Sequence, residues 1–297
     1  MDRLDAMRVF ARIVEQKSFS AAARDLGLPA STVTDAVKQL EARLGVRLLQ
    51  RTTRHVSPTL DGEAYYQRCL RILDEIEDAE SAFGGAKPTG LLRVDVQGSL
   101  ARRLILPSLP RFFAEYPGIE LYMSEGDRFV DLVREGFDCV LRAGEPQVSD
   151  MVARRLTLLE EVTVAGPDYI ARFGRPTRWD ALDGHRMIGF RSSATGSVLP
   201  LEFMVGGARK TAMLPMTLSV NGADSYRAAA RLGLGLIQVP RYALGEDLAR
   251  GTLVPLLEDT PPSPTPVSLL YPQGRQLSPR VRVFIEWMTK IFAAQKW

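Results

Sequence analysis

Apolar side chains in the first sixth of the chain recur at helical spacing. Leu4, Met7, Phe10, Ile13 and Val14 step by three and four residues and form one face of a first helix. Ser18 and Ser20 are capping residues for a short Ala-rich helix over residues 21–26, and Gly27 ends it by taking the left-handed conformation. Val33, Val37, Leu40 and Leu44 then repeat at four, three and four, the buried stripe of a third helix over residues 30–44. Alternation around Thr52-Thr53 predicts a small hairpin. From Thr59, a plausible N-cap, Tyr65, Cys69, Ile72, Ile76, Ala79 and Phe83 follow in a heptad-like seam on a helix of about 25 residues. The glycines and proline of residues 81–90 (SAFGGAKPTG) end it in a hinge.

Beyond residue 91 the period changes. Leu92, Val94 and Val96 alternate in a strand, and Gln97-Gly98-Ser99-Leu100 opens an apolar helix to Tyr116, interrupted by Pro107 and Pro110. Strands at 119–124 and 139–141 flank a helix at 129–135, a βαβαβ run that predicts a parallel, doubly wound sheet. A second set follows: strands at 162–165, 187–190, 218–220, 234–239 and 266–270, and helices at 167–173, 224–232 and 278–292. Residues 192–210 yield little. The predicted organisation is a head over 1–58, a connecting helix over 59–83, a hinge over 84–90 and an α/β body over 91–297. The body divides into a first lobe at about 91–160 and 267–297 and a second at about 161–266.

Two short helices, a glycine turn and a polar-faced third helix describe a helix-turn-helix. The exposed face of the third helix carries Ser31, Thr32, Thr34, Asp35, Lys38 and Gln39, short hydrogen-bonding groups of the kind a DNA major groove admits. The hairpin sets Arg51, Thr53 and Arg54 where a wing touches phosphate or the minor groove. The plain alternative is a three-helix packing domain with a solvated basic face.

Charge sharpens the comparison. The whole chain is only +3, with 38 Lys+Arg against 35 Asp+Glu. Residues 1–57 hold ten basic and six acidic side chains, a surplus of +4, which leaves −1 for the rest. A basic head on a near-neutral body fits a polyanion-binding module joined to something else.

Residues 18–27 (SFSAAARDLG), 37–54 (VKQLEARLGVRLLQRTTR) and 59–62 (TLDG) resemble the LysR-type transcriptional regulators. So do 129–138 (FVDLVREGFD), 227–235 (RAAARLGLG) and 277–282 (LSPRVR) in the body. The head departs from that family at Asp35, where members often carry Arg, and at Pro29 and Ala30. The resemblance implies an all-α winged helix-turn-helix with a long linker helix and a body of two doubly wound α/β lobes like type 2 periplasmic binding proteins. It implies double-stranded promoter DNA as partner, a small-molecule effector between the lobes, self-association as dimer or tetramer, and contact with RNA polymerase. The seam from Tyr65 to Phe83 is the expected dimerisation surface; packing on the chain's own body is the other reading.

Open α/β lobes bind ligands beyond the C-terminal ends of their strands. Gln97, Gly98 and Ser99 at a helix start, and Arg142 after the third strand, are therefore candidates to hold an anionic effector in the first lobe. Phe190, Asn221, Gly222 and Ala223 are candidates in the second. Ser99 as a plain cap and Arg142 paired to a carboxylate such as Glu145 are the competing readings. Catalytic signatures are thin: two histidines, His55 and His185, without metal-ligand spacing, and no phosphate-loop, dinucleotide or nucleophile-elbow motif. The expectation is a cytoplasmic regulator, not an enzyme, without cofactor, metal or membrane association. An effector-independent architectural DNA-binding protein and a solute-binding or enzymatic body with an incidental basic head are the rivals.

Overall fold

In a computed structural model the protein is described over residues 1–51, 56–81, 87–126, 135–146, 151–193, 195–273 and 277–295, without the side chains of residues 51, 74 and 77–81. The chain divides into two compact units, residues 1–87 and 88–297. Each has a core of its own.

In the first unit, helix α1 (Arg3–Gln16) is capped by Asp2, whose carboxylate accepts the Asp5 N–H at 2.7 Å. Helix α2 (Phe19–Asp25) begins two residues earlier than the alanine run predicts, because Ser18 is the cap and accepts the Ala21 N–H at 3.2 Å. Gly27 is left-handed at φ +63°, and helix α3 spans Ala30–Leu44 as expected. Strands β1 (Leu49–Arg51) and β2 (Val56–Pro58) pair antiparallel. Helix α4 (Leu60–Ser81) is capped by Thr59, whose hydroxyl accepts the Gly62 N–H at 2.9 Å and donates to the Arg47 carbonyl at 2.7 Å. Phe10, Ile13, Val33, Val37, Leu40 and Leu48 close one core between α1, α3 and the hairpin.

The second unit holds two lobes. The first is a five-stranded sheet of β3 (Gly90–Val96), β4 (Ile119–Glu125), β5 (Cys139–Ala143), β6 (Met151–Leu159) and β15 (Thr265–Pro272), in the order β4-β3-β5-β15-β6. β3 runs parallel to β4 and β5, while β15 is antiparallel to β5 and β6. Strand β6 escapes sequence reading for a local reason. Its pairing with β15 slips between Val267 and Ser268, so Leu156 is an extra residue and the inside-outside alternation loses phase. The expected breaks at Pro107 and Pro110 are absent. Helical structure runs from Gly98 to Glu115, with a wide turn over Ala101–Ile105 and Pro107 in the first turn of Leu106–Glu115, where no N–H is needed. Most of the helix expected at 129–135 lies outside the described residues.

In the second lobe β7 (Glu161–Ala165) lies between antiparallel β13 (Ile237–Pro240) and β14 (Val254–Leu256). A Met187–Leu236 bridge links β13's strand to the group of β8 (Gly189–Arg191), β9 (Val198–Leu199) and β12 (Ser219–Val220). This lobe's sheets are mixed rather than parallel throughout. The unassigned stretch contains a hairpin, β10 (Leu201–Val205) and β11 (Ala208–Ala212), turning on Gly206-Gly207, both at positive φ. Helices Pro167–Phe173, Ala223–Arg231 and Pro279–Ala293 fall at or within one residue of expectation. Leu159 ends the first lobe, Glu161 opens β7, and Thr265 of the returning strand pairs with Leu159, so the two crossings between lobes run side by side.

Candidate nucleic-acid interface and ligand cleft

Burial of Val33, Ala36, Val37 and Leu40 fixes which face α3 turns outward. On that face Ser31, Asp35, Lys38 and Gln39 are exposed, with Thr32 and Thr34 half-buried beside them. The Thr34 hydroxyl donates to the Ala30 carbonyl at 2.9 Å, which leaves its methyl and an acceptor lone pair for an incoming edge. Glu41 sets the hairpin against this helix: its carboxylate accepts the N–H groups of Leu48 at 2.8 Å and Leu49 at 3.1 Å. Arg51 ends β1 opposite Val56. Its side chain, and all of Thr53 and Arg54, lie outside the description. Arg12 is engaged within the head, bonded to Asp25 and, at 2.7 Å, to Glu15.

Between the lobes of the second unit lies a cleft of about 270 Å³. Gln97, Phe190 and Ala223 line it, as their positions at strand ends predict. The other five expected ligand residues are not among its lining. Ser99 is buried, with its hydroxyl 2.9 Å from the Tyr242 hydroxyl of the second lobe. Gly98 packs beside Arg102, Asn221 is exposed, and Gly222 is the cap of helix Ala223–Arg231. Arg142 requires a correction. Its guanidinium is bonded to Asp95, which is 1% exposed, rather than offered to a ligand or to Glu145. Strand-end position is legible in sequence; the neighbouring carboxylate on β3 is not.

Sequence reasoning missed the acidic residues of the cleft. Glu161 and Glu202 both line it, with Tyr226, Gln238, Ser263 and Thr265. Burial pushes the Glu161 carboxyl up to about 8, the nearby Glu202 charge adds to the rise, and a hydrogen bond from Thr265 opposes it. An anion there meets the Glu202 carboxylate and no cationic side chain among the described lining residues, so the expectation of an anionic effector is not supported by these side chains. Glu161 precedes the apolar run of β7 and looks in sequence like an ordinary strand-edge acid.

Two stretches of the chain match described families. Residues 4–63 match the bacterial regulatory helix-turn-helix protein, lysR family, and residues 85–293 match the LysR substrate binding domain. The chain belongs to the LysR family. It is 38% identical over 295 residues to the uncharacterized HTH-type transcriptional regulator YhjC of Escherichia coli (strain K12), covering 98% of each. It is 37% identical to the HTH-type transcriptional repressor PA14_22550 of Pseudomonas aeruginosa (strain UCBPP-PA14), covering 99% of this chain and 93% of that one. Its fold resembles that of CrgA, a LysR-type transcriptional regulator from Neisseria meningitidis, with a TM-score of 0.60, 30% identity and 97% and 98% of the two chains covered. The fold is therefore the LysR arrangement of an N-terminal helix-turn-helix and a two-lobed α/β body, and the relatives are named as transcriptional regulators. No helix among the described residues is long and apolar enough to cross a membrane, and no group of three or more metal-binding side chains occurs among them.

The seam on α4 divides. Tyr65 and Cys69, expected at a dimer interface, are used by the LysR head itself: Cys69 is fully buried in the head core, and the Tyr65 ring lies 5.7 Å from that of Phe10. The heptad pattern is indifferent to which apolar surface covers it, and α1 is the one at hand. Ile72 is 37% exposed and Ile76 half-buried; the Ala79 side chain and Phe83 lie outside the description.

The Glu161 shift has a consequence for stability. A free glutamate titrates near ~4.3, so between that value and about 8 the folded chain holds a proton that the unfolded chain has released. Folding then weakens as pH rises across this window and levels off above it. Glu161→Gln removes the dependence. We expect the variant to melt on the order of 5 °C above the parent at pH 8 and close to it at pH 5, by scanning calorimetry. Equal melting shifts at both pH values would place the carboxyl in an ordinary, solvated setting.

Proposed function

We propose that this LysR-family chain binds promoter DNA as a self-associated regulator and that a small molecule between the lobes of its body alters that binding. The observation that carries the DNA reading is the registered pair of α3 and hairpin: four buried side chains orient Ser31, Thr32, Thr34, Asp35 and Lys38 outward, and Glu41 holds β1 against the same helix. Major-groove readout falls to these five residues. Arg51, Thr53 and Arg54 of the hairpin supply backbone or minor-groove contacts. Asp35 accepts from cytosine N4 rather than facing phosphate.

Self-association uses the part of α4 beyond the head core, starting at Ile72 and Ile76. Supporting this is Ile72, an exposed branched side chain on a helix whose opposite face is already covered. The effector reading rests on a cleft that both lobes line. A ligand there acts by its difference in affinity between open and closed lobes.

Fluorescence anisotropy with the DNA upstream of the coding sequence tests the reading. Arg51→Ala is expected to weaken binding to all sequences alike, roughly tenfold at low salt, and to reduce the salt slope by about one. Thr34→Ala is expected to change sequence preference instead. Undiminished affinity in Arg51→Ala, with an unchanged salt slope, would remove the hairpin from the interface.

A further inference from the structure

The two lobes meet the cleft with a particular set of side chains. Among the described residues its acidic lining groups are Glu161 at the start of β7 and Glu202 on β10. Its aromatic wall is Phe190 and Tyr226, with ring centroids 5.1 Å apart. The rest is mostly apolar: Leu199, Pro200, Leu201, Val239, Pro240 and Pro262. Two first-lobe guanidinium groups among the described residues are engaged by carboxylates. Arg142 is bonded to Asp95, and Arg102 is bonded to both Glu125 and, in the second lobe, Asp224.

We propose that this cleft takes a small organic cation, an ammonium or guanidinium group on an apolar body, with Glu161 and Glu202 as its counter-charges and Phe190 and Tyr226 as its aromatic wall. The proposal rests on the effector reading above and names the ligand class of the same site. A carboxylate ligand would meet the Glu202 charge in a partly desolvated space, where like charges repel strongly, and would gain no ion pair from Glu161. A cation gains from both glutamates and from the electron-rich faces of the two rings. A cleft of about 270 Å³ lies below the ~300–1,000 Å³ typical of drug-sized sites, so the ligand is small.

The surroundings of Glu161 make the site a proton-coupled one. Around it are Glu202 from β10, Tyr226 from the helix Ala223–Arg231, Tyr242 just after β13 and Thr265 from the returning strand β15. Glu160, Arg241 and Glu258 stand around the adjoining cavity that Glu161 also lines, and Arg241 is bonded to Glu258 at 3.1 Å. Glu202 receives the Ser263 hydroxyl on one oxygen and, at 3.3 Å on the other, a largely exposed Arg209. An exposed single contact of that kind is weak and yields to a ligand cation. Glu161 carries its proton at neutral pH when the cleft is empty. Entry of an ammonium ion turns the carboxyl into a carboxylate; the O–H bond breaks, the proton leaves to water, and the ion pair takes its place. Thr265, on one lobe crossing, donates to Glu161, which stands at the other. Ligand charge is thereby read at the point where the lobes hinge.

The test is calorimetric titration and thermal shift on the full chain, with benzylamine, phenethylamine and agmatine set against benzoate and 3-phenylpropionate. The amines are expected to bind and the carboxylates not. Amine binding should release close to one proton at pH 7, seen as a dependence of the heat on buffer ionisation. Affinity should rise with pH below about 8 by up to about tenfold per unit, since a proton must be shed. Glu161→Gln should abolish the proton release, and Glu202→Gln, which leaves the Glu161 carboxyl in place, should weaken amine binding about tenfold or more. Binding of the carboxylates alone, or of neither set, overturns the proposal, as does amine binding that neither variant alters. DNA affinity measured alongside separates the two readings. Amines that bind but leave DNA affinity unchanged support the ligand class and count against the effector role. Carboxylates that bind and change DNA affinity do the reverse.

Discussion

Gly62→Ala is expected to destabilise the DNA-binding head by more than about 3 kcal/mol and to abolish DNA binding. A β-carbon at this position would sit 1.9 Å from the Leu48 carbonyl oxygen and 2.8 Å from its carbon, both backbone atoms. Backbone cannot turn aside as a long side chain does, so the first turn of α4 must lift from the entry to β1. The same contact is held by Thr59, whose N–H donates to the Leu48 carbonyl at 2.9 Å and whose hydroxyl donates to the Arg47 carbonyl. Lifting α4 therefore breaks its cap, uncovers Cys69 and Tyr65 over α1, and releases the hairpin from α3. Alanine's better helix propensity returns only about 1 kcal/mol. Scanning calorimetry reads the loss as a lower melting temperature for the head, and anisotropy reads it as lost DNA affinity. A variant that melts within a degree or two of the parent would show that the α4–β1 approach is looser than described.

The second large effect is expected at Arg142. Its side chain neutralises Asp95, a carboxylate with 1% exposure on the central strand β3. Arg142→Ala leaves that charge buried and alone, a change that costs about 3–5 kcal/mol when a buried pair loses one member. In a body of some two hundred residues this lowers the melting temperature by on the order of 10 °C, with no ligand present. Replacing both members, Asp95→Leu with Arg142→Leu, should recover most of the loss, because the pair's attraction is largely offset by the cost of desolvating it. The outcome discriminates between two roles for one arginine. A ligand anchor would leave the empty protein's stability untouched and remove only its response to ligand; a structural partner of Asp95 does the opposite.

Both predictions concern residues whose importance is invisible along the chain. Gly62 reads as a mild flaw in a helix, and Arg142 reads as a well-placed ligand cation. What decides each is a neighbour far away in sequence, Leu48 or Asp95. The acids of the cleft follow the same rule. Glu161 and Glu202 are separated by forty residues and come together only because the crossing at 159–161 lies against the returning strand and the β10–β11 hairpin. Strand β6 was hidden by its bulge. The β10–β11 hairpin did carry a signal, two glycines between alternating apolar residues, that short-range turn chemistry explains.

The amino-acid pattern by itself determined the head's three helices to within two residues at their starts, the hairpin after them, the long helix and its cap, and the alternation of strands and helices in the body. These follow from contacts within a few residues: periodic burial, caps and glycine turns act locally and leave a local record. It also pointed to the exposed face of α3 and to strand ends beside the cleft, because groove-facing helices and strand-end clefts are consequences of fold class. Only the tertiary structure decided which polar side chains at those positions are free to act. Arg142 was taken up by Asp95, Ser99 by Tyr242, and Tyr65 and Cys69 by α1, while two glutamates unremarkable in sequence became the acidic groups of the cleft. The physical reason is that desolvation and pairing depend on what lies within a few ångströms in space, and a polar side chain's spacing along the chain carries no record of its partner.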